Sequence, residues 1–236
     1  MKEAYNIDNI WYLNEINMKG FALGMITFGC EAFFRAKHIK EIGSLSNLIN
    51  TLDKLGSEGK MPDIEIIKEI TEFGFDKIPD WARIIICFEN YMKAILLMNG
   101  FLIHKIDKNQ TNLKTLANNQ NKRPIPLAKF LQINNFYIDI DSKNWMLDGL
   151  KPQTIDFGVL LKNNYQNEIQ LPDKIIKSII EINHERNNLH FYHQACNSYS
   201  QKFIQDLKLM DKYVNEEMVN LAKKLQNESN SNLPTQ

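Results

Sequence analysis

Apolar or small residues recur at Leu189, Tyr192, Cys196, Tyr199, Phe203, Leu207, Met210, Val214, Met218, Leu221 and Leu225, in steps of three and four. That rhythm marks one face of one long helix. The same spacing sets Trp81, Ile84, Ile85, Phe88, Met92, Ile95 and Leu102 on a shared face. It predicts a second long, core-facing helix that starts at Pro79 and Asp80, with Gly100 weakening its last turn without ending it. Shorter helices are expected at about 20–38, 44–55, 63–73 and 111–119. The second and third of these are parted by the breakers of GSEGKMP, and another helix opens at Pro172 and Asp173. Residues 134–170 lose the helical period, and their FYIDI and DFGVLL stretches suit a small hairpin or an irregular insertion. The polar tail NESNSNLPTQ is expected to be disordered.

Composition narrows the class. The chain has 236 residues, 44% hydrophobic and 24% charged, which suits a globular protein able to bury a sizeable core. Its 28 basic residues offset 28 acidic ones, so global charge does not steer it toward nucleic acid or an anionic membrane. Any such affinity has to be local. Lys105, Lys108, Lys114, Lys122, Arg123 and Lys129 face a single acid, Asp107, in the one long basic stretch, a candidate track for a phosphate backbone or else a solvated lysine-rich face. Cys30, Cys87 and Cys196 form no Cys-x-x-Cys pair, which fits a reducing cytosol. The charged, polar-broken start MKEAYNIDNIWYLNE is not expected to act as a secretion signal, and Glu31, Asn99 and glycines interrupt the longest apolar runs. No transmembrane helix is expected, and the localisation expected is cytoplasmic.

Chemistry concentrates in NHERNNLHFYHQ, residues 183–194, where His184, His190 and His193, three of the five histidines, surround Arg186. At about 100° per residue, Arg186, His190 and His193 fall within about 60° on a helix, at the edge of the apolar stripe. Three readings compete. The cluster is a structural polar patch, with Arg186 paired to Glu185 or Asp206. Or it holds a metal, with His184 or Glu181 joining the other histidines; against this, the motif is not His-Glu-x-x-His, and an arginine in the ligand set repels a cation. Or it is catalytic. His38 and His104 are expected to cap helix ends, and Trp11, Trp81 and Trp145 to anchor the core or an interface. Glu31 suits a buried polar position or a surface edge equally. No glycine-rich phosphate loop, nucleophile elbow or dinucleotide fingerprint is present.

The Arg186-Asn187 pair, with His193 after six intervening residues, resembles the Arg-Asn-x-x-x-His signature of the HEPN superfamily, in which four to six residues separate Arg from His. His190, with three between, is one short of that pattern. FENYMKAILLMNGFLIHKID resembles the family's earlier helix, with Glu89 at the acidic position that faces the Arg and His. The resemblance covers about residues 80–225. It implies an all-α, HEPN-like helical bundle with long antiparallel helices, here a core domain over 79–226 with the insertion at about 134–170; outside the resemblance, an N-terminal helical extension packed on the core is expected over 1–78 and a disordered tail over 227–236.

The activity implied is metal-independent RNA cleavage, with neither metal nor cofactor. Histidine titrates near neutral pH and can take a proton from the 2′-hydroxyl or give one to the departing oxygen. His193 is the first candidate for that work and His190 the second. Arg186 presents a permanently charged planar fork to the phosphate, Asn187 orients it, and Glu89 holds the arginine. The resemblance further implies a homodimer, products ending in a 2′,3′-cyclic phosphate, and a role in phage defence or as a toxin restrained by an antitoxin partner. The alternative is a non-catalytic scaffold of the same fold that binds RNA, a nucleotide or a partner protein.

Overall fold

The computed structural model describes Tyr12 and residues 14–133, 136–139, 144–147, 149–188 and 199–231, with 136–139, 144–147, 187–188 and 230–231 described by backbone alone. The chain is mostly helical. Helices α1 (Glu15–Phe34), α2 (Lys37–Lys40), α3 (Ile42–Ser57) and α4 (Ile64–Met98) precede strand β1 (His104–Ile106). Then come α5 (Lys114–Gln120), α6 (Leu127–Leu131), β2 (Phe136–Asp139), β3 (Asn144–Leu147) and β4 (Leu150–Thr154). Helices α7 (Phe157–Leu160), α8 (Asn163–Ile169), α9 (Asp173–Asn188) and α10 (Gln201–Tyr213) follow, and a π turn at Val214–Met218 leads into α11 (Val219–Ser231). No helix of the described residues is long and apolar enough to cross a membrane.

The fold divides into two compact units. One joins the residues up to Ile26, Glu89–Leu171 and the chain from Ala222 on; the other joins Thr27–Phe88 and Pro172–Leu221. In the first unit β1 pairs antiparallel with β4, His104 opposite Thr154 and Ile106 opposite Leu150, while β2 and β3 form a separate hairpin with Phe136 opposite Leu147. Leu102, Ile103, Ile106, Leu116, Phe130, Ile155 and Tyr165 fill its core. Tyr165 donates to the Gln120 carbonyl at 2.6 Å, and burial holds its phenol well above the usual range. In the second unit Phe33, Leu45, Ile49, Trp81, Ile84, Phe88, Ile179, Leu207 and Met210 are buried together, with Trp81 tilted against Phe203 at 5.1 Å between centroids.

Several sequence expectations need correction. Pro79 does not start a helix but lies inside α4, which runs from Ile64 straight through it. Proline costs a helix interior about 3 kcal/mol. The burial of Trp81, Ile84, Ile85 and Phe88 just beyond it offsets that cost. Gly100 does end its helix: at φ +76° it occupies the left-handed position after Met98, with its N–H on the Leu97 carbonyl and that of Phe101 on the Leu96 carbonyl. These two bonds close the helix end in a Schellman turn. FYIDI supplies the strand Phe136–Asp139, whereas Phe157–Leu160 of DFGVLL is a helical turn. The stripe first read from Leu189 belongs to a helix that begins only at Gln201, where Ser200 accepts the Phe203 N–H at 3.2 Å as N-cap. The last helix runs to Ser231, into the polar tail.

Candidate functional site

Helix α4 buries the face that carries Phe73, Trp81, Ile84 and Phe88, and on that face the chain places two charged residues, Lys77 and Asp80, both at most 1% exposed. Buried charges need partners. Asp80 has three. Its Oδ2 accepts the His38 ring Nδ1 at 2.7 Å and the His38 backbone N–H at 2.9 Å, and its Oδ1 accepts the Arg83 guanidinium at 2.7 Å. The backbone bond caps the first turn of α2, whose own N-cap residue, Ala36, has no side-chain acceptor. Burial pushes the Asp80 carboxyl up, but the His38 ring and backbone bonds, the His38 charge and the Arg83 bond together outweigh it and hold the group below its usual range.

An ionised carboxylate only accepts, so His38 Nδ1 carries a proton here. The other ring nitrogen, Nε2, shares a hydrogen bond with the Tyr199 hydroxyl, 2.8 Å away. The His38 ring is fully buried, stacked against Tyr199 and packed edge-on to Trp81 and Phe73. Tyr199 therefore points its hydroxyl inward, and its place in this relay is that of an anchor. His38 is not the cap for helix carbonyls that the sequence suggested. Nor is His104, whose Nδ1 lies 2.7 Å from the Tyr12 hydroxyl inside the other unit. Glu31 is at the surface, paired with Arg35 at 2.8 Å.

Lys77 ties a second chain segment to this cluster. Its ammonium lies 3.4 Å from Glu185 Oε2, 5.0 Å over the Tyr199 ring and 5.7 Å from the Trp81 ring centroid. Trp81 Nε1 donates to the same Glu185 oxygen at 3.1 Å. A carboxylate and two aromatic faces thus replace the water that the buried lysine has lost. Glu185 sits in the last turn of α9, directly before Arg186, which is half-buried. Tyr199 lies just before α10. The two residues that bracket 186–198 thus meet on one buried lysine.

The candidate residues are distributed as follows. Arg186 lies in the unit of Lys77 and His38; Glu89 belongs to the other unit. Asn187 is described by backbone alone, and His190 and His193 lie outside the described residues, as do Cys196 and Trp11. Glu89 accepts the Lys93 ammonium at 2.5 Å, and the same buried ammonium donates to Thr154 Oγ1 at 2.8 Å. Of the proposed metal ligands, Glu181 is held by Lys202 at 2.7 and 2.9 Å. The cavity beside it, about 120 Å³ and lined by Glu181, Glu185, Lys202 and Asp206 among others, is too small for a nucleotide-sized cofactor.

The basic stretch lies in the first unit. Lys105 is engaged by Asp156 at 2.8 Å, whereas Lys108, Lys114, Lys122, Arg123 and Lys129 are exposed. The turn that carries Lys122 and Arg123 is fixed from behind, where Lys162 donates to the Asn121 carbonyl at 2.6 Å and Asn164 to that of Lys122 at 3.1 Å. Sheet pairing adds Lys151 of β4, 3.9 Å from Asp107. It answers the one acid of the stretch, and no spacing along the chain could have announced it. If single-stranded RNA tracks over these cations, Lys122→Gln with Arg123→Gln should lower the salt slope of binding by about 1.4, near 0.7 for each lost phosphate contact. A fluorescence-anisotropy titration at several salt concentrations reads that slope.

Comparison with family models, with curated proteins and with solved structures gives no match for this chain.

Proposed function

We propose that the chain is a metal-independent endoribonuclease of HEPN type, in which Arg186 stabilises the charge that builds on the phosphate and His193 or His190 moves the protons. The observation that carries this reading is the joint anchoring of Glu185 and Tyr199 on Lys77. Catalytic side chains need neighbours that fix the backbone presenting them. Here the stretch that holds Arg186, Asn187, His190 and His193 starts and ends on one buried cluster, whose cost in desolvated charge is more than packing alone requires. His38 and Asp80 act through Tyr199, and Trp81 through Glu185, so all three are positioning residues.

A second reading, a scaffold that binds RNA without cutting it, draws on the five exposed cations between Lys108 and Lys129. One experiment separates the two. Purified protein is incubated with several classes of RNA in EDTA, and product ends are analysed. The nuclease reading expects cleavage that survives the chelator and leaves 2′,3′-cyclic phosphate. RNA that stays intact yet bound overturns it in favour of the scaffold. Dimerisation, and a defence or toxin role with a restraining partner, accompany the nuclease reading as parts of the same proposal.

A further inference from the structure

Two of the three cysteines meet inside the second unit. Cys30 of α1 and Cys87 of α4 stand about 57 positions apart in sequence, and the fold sets their thiols in hydrogen-bond contact. Beside that contact Phe33 packs edge-on to Phe88, with ring centroids 6.4 Å apart, and holds the two helices together. Cys87 Sγ also lies 3.8 Å from Met218 Sδ at the end of the π turn, so its one proton can serve either sulfur. Exposure divides the pair: Cys30 keeps 7% of its surface and Cys87 1%. Cysteine fills a core as a small hydrophobe, but such packing does not require two thiols to face each other. Where they do, each sulfur is the other's nearest reaction partner.

We propose that Cys30 and Cys87 are a peroxide-reactive pair, in which Cys30 takes the oxygen and Cys87 resolves the product to a disulfide that ties α1 to α4. The order of the two steps follows from exposure and hydrogen bonding. A small neutral oxidant reaches Cys30 first. The hydrogen bond from Cys87 favours the Cys30 thiolate and holds that thiol below its usual range, whereas burial, and then Cys30 beside it, pushes the Cys87 thiol up. The Cys30 sulfur attacks one peroxide oxygen, the O–O bond breaks, and the departing oxygen leaves as water with the thiol proton; Cys30 is then a sulfenic acid. The Cys87 sulfur gives up its proton and attacks the Cys30 sulfur, the S–O bond breaks, and a second water leaves. Two thiols and one peroxide thus become one disulfide and two waters, with sulfur oxidised and peroxide reduced. The product is neutral, which suits the site: Phe33, Ile84, Phe88, Val214 and Met218 have no exposed surface, and no charged side chain shifts either thiol. The same setting disfavours a soft monovalent cation, because two thiolates around it would leave a buried negative charge unpaired. The inference is independent of any catalytic activity.

Peptide mapping after oxidation provides the test. The full chain, freed of reductant and treated with hydrogen peroxide, is expected to yield one linked peptide pair, Cys30 to Cys87, with Cys196 left unlinked. Dithiothreitol should return both thiols. In guanidinium the preference should vanish, and links to Cys196 should appear beside it. The bond closes a loop of about 57 residues, so the oxidised chain should melt about 5 °C or more above the reduced one. Single variants report the order. With Cys87→Ala no resolving thiol remains, and dimedone should trap a sulfenic acid on Cys30; with Cys30→Ala, Cys87 should stay unlabelled. If either variant fails to fold, the wild-type map and melting curves still decide. A native chain that forms no bond between Cys30 and Cys87, forms it only once denatured, or melts lower when oxidised overturns the proposal. So does dimedone that labels Cys87 and spares Cys30.

Discussion

Asp80→Ala is expected to reduce the unfolding free energy by about 3 kcal/mol, read as a lower urea midpoint at unchanged slope. The substitution removes the acceptor of three hydrogen bonds at once: the His38 ring, the His38 backbone N–H and the Arg83 guanidinium. Two of those donors belong to a residue with no exposed surface, so water cannot take the place of the carboxylate. The loss also loosens Tyr199, whose hydroxyl is hydrogen-bonded to the His38 ring. The pH dependence follows from the lowered carboxyl of Asp80. A native value below the unfolded one means that the unfolded chain takes up the proton first. The stabilisation is complete above the ordinary value of about 3.9 and is lost as pH falls from there through the native value. Asp80→Asn keeps an acceptor oxygen but no charge. Its destabilisation should be smaller than that of Asp80→Ala, and it should lack the acid-side contribution, so that stability below about pH 4 falls less steeply than in the wild type. Parallel acid limbs in the two proteins would show that the Asp80 carboxylate does not stabilise the fold through its charge.

How much of this could be read along the chain depends on the range of each interaction. The core face of α4 was legible because Trp81, Ile84, Ile85 and Phe88 keep the 3.6-residue period. The charged interruption of that face went unread: one turn and two turns before Ile84 the same period falls on Asp80 and Lys77, but a helix taken to start at Pro79 leaves Lys77 outside it. The partners themselves were not legible. His38 is 42 positions from Asp80, and Glu185 is 104 positions from Trp81, distances at which no local rule acts. Local rules also misled where tertiary packing outweighs them. Pro79 looked like a helix start because proline suits a first turn, yet the apolar residues on both sides of it hold one helix together. The apolar stripe of the last helix was followed upstream past Ser200 because steps of three and four in the sequence run on across the N-cap. The capping serine, followed by three residues of the first turn, was the stop signal to weigh against them. The Arg–His spacing stands apart: a pattern of residue types suggests a reaction, and the side chains of His190 and His193 are not among those described.

Arg186 is therefore where the functional reading is most exposed to test. Arg186→Ala is expected to lower kcat for RNA cleavage by about 100-fold or more, the usual result of removing one charged or hydrogen-bonding group that meets a developing oxyanion. Arg186→Lys should recover little of it. Lysine keeps the charge, but its compact ammonium cannot make the planar, two-pronged contact that guanidinium makes with a phosphate. A purely electrostatic attraction of RNA would instead be restored by lysine and would appear in KM. Glu185, the neighbour in sequence, must stay bound to Lys77 and Trp81 in both variants, and an unchanged thermal midpoint checks that it does. The histidines divide by their pH profiles. If one of them moves the proton, its alanine variant loses about 100-fold or more in rate and one limb of the bell in kcat/KM, while the other histidine's variant keeps both limbs. Cleavage that withstands Arg186→Ala but falls with Lys122→Gln and Arg123→Gln would put the phosphate contacts in the first unit and remove Arg186 from the chemistry. Loss of activity with Arg186→Ala, Arg186→Lys and only one of the two histidines would identify the acting pair.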